Sequence, residues 1–190
     1  MLVALDVQYD TPAPGAAAVG LVAFDAWTSP EPVLTRRVLS ATAPQAYEPG
    51  SFYRRELPFL LEAVQGCAVL PTLVLIDGHV WLDADPSGQP RPGLGAHLHA
   101  ALGGAVAVVG LAKNAFAGAV ATAAVVRGSS SKPLFVTSVG YDLSQAAQGV
   151  REMSGEHRIP KLVKLADQLA RGHARTPESP GGHAAQSPTS

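Results

Sequence analysis

The stretch Leu73-Val74-Leu75-Ile76-Asp77-Gly78-His79 decides how this chain is read. Four apolar, β-prone residues run straight into an aspartate and a glycine. The run is too short for a helix and is bounded by Pro71 and Gly78, so it is predicted to be a buried strand. Such a strand delivers Asp77 to its C-terminal end, where open α/β sheets place their ligands. A carboxylate held there is costly unless positive charge or hydrogen bonds compensate it. A divalent cation shared with other acids would do so. Two acids stand out: Asp6, which closes the first apolar run Leu2-Val3-Ala4-Leu5, and Glu56, in Tyr53-Arg54-Arg55-Glu56-Leu57-Pro58.

Outward from that strand, residues 2–7, 16–25 and 33–41 read as strands separated by Pro-rich turns, an antiparallel meander. Tyr47-Glu48-Pro49-Gly50 is a tight-turn signature. From Ser51 the period changes: Phe52, Leu57, Leu60, Leu61 and Val64 share one helical face, up to Gly66. Beyond the central strand, 72–77, a polar Gly/Pro-rich loop spans 79–92. A helix over 93–103 and strands over 105–110, 120–127 and 133–139 follow, then helices over 143–153 and 160–171. Pro160 stands at a favoured first helical position. From Gly172 the sequence is Pro/Ser/Gly/His-rich and aperiodic, which predicts one domain over 1–171 and a disordered tail over 172–190. This order predicts a mixed α/β sheet with helices on both faces.

Composition narrows the function classes. Of 190 residues, 47% are hydrophobic and only 15% charged, enough apolar material for one sizeable core. Fourteen basic residues against 15 acidic ones leave a net charge of -1, so binding to nucleic acid must rest on a local patch. The single Cys67 excludes an internal disulfide and fits a reducing compartment; near a helix end it acts as a small, partly apolar residue. No signal peptide is evident, and no run of about 18 apolar residues spans a membrane. A cytoplasmic protein with no membrane partner, and a monomer, is expected.

Asp6, Glu56 and Asp77 are the residue types a hard cation such as Mg²⁺ or Mn²⁺ needs, since it takes oxygen ligands and completes its shell with waters and substrate phosphates. By spacing alone they also read as strand-terminal acids facing water and an acid on a solvated helix face, since single acids at strand ends are common. Arg55 and Lys113 would supply charge for a phosphate backbone, or would simply be solvated. Tyr47 beside Pro49 would insert between bases as a wedge, or pack its turn. His97 and His99 are two apart and point apart in a helix, a poor metal pair. Gly93-Leu94-Gly95 is too loose for a dinucleotide fingerprint.

Taken together, these motifs resemble the endonuclease V family, metal-dependent nucleases that nick next to deoxyinosine in DNA and, in some members, inosine in RNA. The matching segments run in the family's order. They are Asp6; Tyr47-Glu48-Pro49-Gly50 with Tyr53-Arg54-Arg55-Glu56-Leu57-Pro58; Leu75-Ile76-Asp77-Gly78-His79; Pro90-Arg91 with Gly93-Leu94-Gly95-Ala96-His97-Leu98; Val109-Gly110-Leu111-Ala112-Lys113; Val136 to Tyr141; and Arg158-Ile159-Pro160 with Leu165-Ala166-Asp167. The resemblance implies an RNase H-like fold, Mg²⁺ or Mn²⁺ on Asp6, Glu56 and Asp77, and Lys113 near the scissile phosphate. It implies a wedge at Tyr47, Pro49 and Gly50, and a base-accepting loop at Gly78 and His79. A histidine assigned to water positioning is replaced by Tyr141, whose ordinary pKa of about 10 suits a base poorly, with Asp142 beside it as a possible fourth carboxylate. Val80 stands where the family has a glycine, which implies a narrowed base pocket. The resemblance therefore implies a repair endonuclease; the alternative it leaves is a catalytically impaired member that binds nucleic acid or a protein partner without cleaving.

Overall fold

The computed structural model describes residues 1–9, 17–40 and 53–174. The first three strands are β1 (Leu2–Gln8), β2 (Ala17–Phe24) and β3 (Leu34–Ser40), paired antiparallel as the meander requires. Helix α1 (Tyr53–Gln65) follows, then β4 (Leu73–Asp77), the quoted strand, buried from Leu73 to Ile76 and exposed at Asp77. The chain continues through β5 (Trp81–Ala84), β6 (Pro90–Pro92), α2 (Leu94–Ala101), β7 (Ala107–Ala112), β8 (Ala123–Val125) and β9 (Leu134–Val139). Helices α3 (Leu143–Glu152) and α4 (Lys161–Ala170) complete it. The main sheet has seven strands in the order β3-β2-β1-β4-β7-β9-β8, with β1, β4 and β7 parallel in its centre.

Side chains alternate across these strands, so the sheet makes two cores. Val3, Leu5, Val19, Leu21, Val74 and Ile76 face α1 and α2. Ala4, Val22, Phe24, Leu75, Val109 and Leu111 face α3 and α4. Burying each large aliphatic side chain contributes about 1.5–3 kcal/mol, which is what fixes the strand register. The same alternation settles which way the site residues point. Asp6 follows the set Leu2–Ala4, Asp77 the set Leu73–Leu75, and Lys113 the set Val109–Leu111, so all three belong to the α4 side.

Three expectations shift. The 79–92 loop contains a hairpin, β5–β6, tied to the body by Trp81 Nε1 donating to the Ser138 carbonyl at 2.9 Å. An indole in a half-buried setting needs such a partner, and alternation over four residues was too short to show the strand. Strand β7 starts at Ala107 rather than 105, because Gly103 and Gly104 both adopt positive φ (66° and 75°) and carry the chain out of α2 first. Strand β8 is confined to Ala123–Val125: Ala121 sits at φ 52°, and Arg127 leaves the sheet to donate to the carbonyls of Met153, Ser154, Gly155, His157 and Arg158. The proposed tail beyond residue 174, and the turn holding Tyr47, Pro49 and Gly50, lie outside the described residues.

Candidate active site

Parallel pairing places Leu5 opposite Ile76, which brings the next residues, Asp6 and Asp77, to neighbouring strand ends. Glu56 comes from the first turn of α1 on the other side of the sheet edge. These three acids line one groove with Gly78 and Lys113. The expected constellation is therefore brought together, and a fourth acid joins it. Asp167, on α4, lines the same groove.

Asp167 reaches the cluster because of a residue two strands away. Gly20 pairs with Asp6 across β1–β2, on the α4 side. A Cβ at Gly20 would stand 1.9 Å from the Ala166 carbonyl oxygen. Without one, α4 lies directly on the strand, and the residue after Ala166 is delivered beside Asp6. Neither Gly20 nor Asp167 announces this role in the sequence, although Asp167 belongs to the motif Leu165-Ala166-Asp167; a helical acid carries no local signal of what it will face.

The electrostatics are those of crowded carboxylates. Burial, then the charges of Asp77 and Asp167, raise the Asp6 carboxyl to about 7. Burial, then Asp6 and Asp77, raise Glu56 to about 8, with the Arg55 guanidinium opposing. No three His, Cys, Asp or Glu side chains among the described residues are gathered into a ready-made metal cage. Two acids instead hold a cation each. Lys113 Nζ donates to Asp77 at 3.1 Å, and Arg171 Nε to Asp167 at 2.7 Å. Both pairs are substantially exposed and contribute about 1 kcal/mol or less, so another cation can displace them. In donor type the four carboxylates fit a hard divalent ion and not a thiolate- or imidazole-seeking one.

The remaining expected residues divide. Arg55 lays its guanidinium over the Tyr9 ring, 4.2 Å from the centroid, beside Glu56. Gly78 adopts φ 140°, a conformation that side chains rarely take, where the chain turns off β4 into the groove wall. His79 sets Nε2 against the Asn114 carbonyl at 3.2 Å and its ring edge-on to Phe116; burial lowers its pKa. His97 stacks on Tyr53 and His99 meets the Val106 carbonyl, so the two do part. Cys67 follows α1 and donates to the Ala63 carbonyl.

Three expectations are corrected. Tyr141 packs against Trp27, 6.3 Å between rings, in a hollow with Leu2, Leu73 and Ala107. Those residues begin the parallel strands that end at the acids, so Tyr141 stands at the opposite end of the sheet. Antiparallel β9 carries the chain there, a direction that no local pattern reveals. Asp142 is with it and caps α3, accepting from Gln145 N at 2.9 Å and from Ser144 Oγ; it cannot be the fourth carboxylate. Val80 is fully buried, its N–H donating to Thr137 Oγ1 at 2.8 Å, and packs into the core rather than into the groove.

Comparison with known proteins agrees with this geometry. A model of the Endonuclease V family matches residues 1–168. An endonuclease V of Streptomyces coelicolor is 30% identical over 193 residues, covering 90% of this chain and 78% of that protein. One from Streptomyces avermitilis is 30% identical over 146 residues, 66% of this chain and 60% of that protein, so the match spans less than two thirds of that relative. Among solved structures, that of the Streptomyces avermitilis endonuclease V superposes with a TM-score of 0.69 at 25% identity, over 90% of this chain and 79% of the other. A Ciona intestinalis endonuclease V, bound to a 24mer DNA containing an inosine followed by a ribo-adenosine, gives 0.72 at 18% identity, over 90% and 84%. The fold is the RNase H-like one those structures share.

Proposed function

Because the chain belongs to the endonuclease V family, we propose that it is a divalent-metal endonuclease that hydrolyses a phosphodiester near inosine or deoxyinosine in nucleic acid. The observation that carries this reading is the crowd of Asp6, Glu56, Asp77 and Asp167 at the C-terminal ends of two parallel strands, with Lys113 beside it. Burial and the neighbouring acids raise the Asp6 and Glu56 carboxyls, and Mg²⁺ or Mn²⁺ on Asp6, Glu56, Asp77 and Asp167 would compensate the crowded charge. Bound there, the ion would lower the pKa of a water and stabilise charge on the phosphoryl oxygens. Lys113, released from Asp77, would sit against the scissile phosphate and neutralise developing charge. Arg55, seated on Tyr9, would place its positive charge beside Glu56. Gly78 lines the groove, and an extruded base would rest against it and the following His79.

The alternative, an impaired member that binds without cleaving, is drawn from Tyr141, which packs on Trp27 away from the acids. The test is cleavage by the purified chain, with Mn²⁺ or Mg²⁺, of single-stranded and duplex DNA and RNA with and without one inosine. Cutting near inosine that EDTA stops and Asp77→Ala abolishes is expected. Cutting that survives Asp77→Ala overturns the assignment of the site, and inosine-independent cutting that Asp77→Ala abolishes keeps the nuclease and removes the base specificity.

A further inference from the structure

Arg158 belongs to a motif, Arg158-Ile159-Pro160, that the chemistry above does not use. From the loop before α4 its guanidinium reaches the place where the pairing of β7 with β9 stops. The last pair there is Ala112 with Phe135. Beyond it come Lys113 on one side and, on the other, Pro133, which has no N–H to carry the ladder further. Arg158 takes carbonyls left at that end. Its Nε donates to the Pro133 carbonyl at 3.1 Å, and its Nη2 to the carbonyls of Pro133 and Lys113. The next carbonyl, that of Asn114, meets His79 Nε2 at 3.2 Å. Two successive peptides are thus held by side chains from two other parts of the chain.

Lys113 needs such a hold. It opens a stretch with no further strand until Ala123, in which Gly118 and Ala121 both take positive φ. Its exposed ammonium has the Asp77 contact at 3.1 Å. On the endonuclease reading above, on which this inference rests, that contact is given up for the phosphate. A lysine side chain freed of its partner samples many rotamers, so the placing of its backbone then decides where the ammonium can be. The loop from which Arg158 reaches is tied down on its other side. Buried Arg127 donates to the carbonyls of Gly155, His157 and Arg158 itself. Gly128 fits so closely that a Cβ there would stand 2.3 Å from the Glu156 carbonyl oxygen, to which Ser129 N donates at 2.9 Å. We propose that Arg158 is a positioning residue for Lys113, holding its carbonyl so that the ammonium stays in the groove of the acids once Asp77 no longer pairs with it.

The test is a double-substitution cycle on single-stranded DNA carrying one inosine, in Mn²⁺. Its members are Arg158→Met, which keeps the apolar stem and drops the guanidinium, Lys113→Ala, and both together. Arg158→Met should lower kcat about tenfold and leave KM within about twofold. In the Lys113→Ala background the same substitution should cost less than about twofold, because no ammonium is left to position. Mn²⁺ binding, measured by calorimetry, should match wild type. An equal loss with and without Lys113 overturns the proposal, since Arg158 then acts on the phosphate or on the fold at large. No loss at all overturns it too, as does a fall in Mn²⁺ affinity that accounts for the loss. Should Arg158→Met fail to fold, Arg158→Lys, which lacks the planar fork that spans both carbonyls, carries the same comparison. If wild type cuts nothing, the endonuclease reading fails by itself, and Lys113 is then observed directly. Lysines stand only at 113, 132, 161 and 164, so ¹³C-methylated lysines give few NMR signals, and Lys113→Ala identifies the one from position 113. In Arg158→Met that signal should shift and sharpen; a signal that stays as in wild type overturns the proposal.

Discussion

Asp6 is a carboxylate that the fold makes uncomfortable. It is raised to about 7 by burial and by Asp77 and Asp167, although its neighbours Leu5 and Val7 form a perfectly ordinary strand. Replacing it with a neutral amide removes the repulsion and keeps the shape. Asp6→Asn should therefore raise the melting temperature at pH 8 in EDTA while abolishing cleavage, as thermal denaturation and an oligonucleotide assay will show. Asp167→Asn should weaken Mn²⁺ binding by about tenfold or more, measured by calorimetry. Asp142 and Tyr141 make the opposite test. Asp142→Ala should lower the melting temperature through loss of the α3 cap and leave kcat unchanged, and Tyr141→Phe should leave kcat unchanged too. A large loss of kcat in either would return those residues to the site.

At the scale of elements, the placement of α4 decides most. It rests on β2 where Gly20 has no side chain, and Gly20→Ala would drive a methyl into the Ala166 carbonyl. We expect a loss of about 1–3 kcal/mol in urea unfolding, together with weaker Mn²⁺ binding, because α4 must lift and takes Asp167 with it. Two consecutive arginines on the edge strand β3 act on helices of opposite faces. Arg36 donates to the Gly66 carbonyl just beyond α1, and Arg37 to the Ala170 carbonyl at the end of α4. Both place a cation at a helix C-terminus, where the dipole is negative. That role explains why β3 is charged where an apolar strand would otherwise be expected, and why it does not offer a bare edge.

For the whole molecule, the acid cluster sets a pH dependence. Asp6 and Glu56 titrate at about 7 and about 8 in the folded chain, against ordinary values of 3.8 and 4.5. Between those limits the native state binds more protons than the unfolded one, so stability falls as pH rises. In EDTA the denaturation midpoint should be higher at pH 5.5 than at pH 8.5; the reverse order would contradict the crowding of the acids. Mn²⁺ competes with those protons, so its affinity and its stabilisation should both grow across the same interval, reducing the difference.

The strands of the main sheet, its two faces and three of the four acids were legible in the sequence, because a buried strand needs a continuous apolar run and its end is marked where the run stops. Leu73 to Ile76 declared Asp77 in this way, and Leu2 to Leu5 declared Asp6. Glu56 and Lys113 stood out by residue type, and the family motifs gave them their implied roles. What only the tertiary structure decided is which residues meet from distant parts of the chain: Asp167 joins Asp6 because Gly20, 147 positions earlier by subtraction of their numbers, lets a helix lie close. Likewise Tyr141 and Asp142 leave the site because β9 runs antiparallel and carries them to the other end of the sheet. Strand polarity and helix approach come from pairing and packing across the whole core, and no local run of residues encodes them.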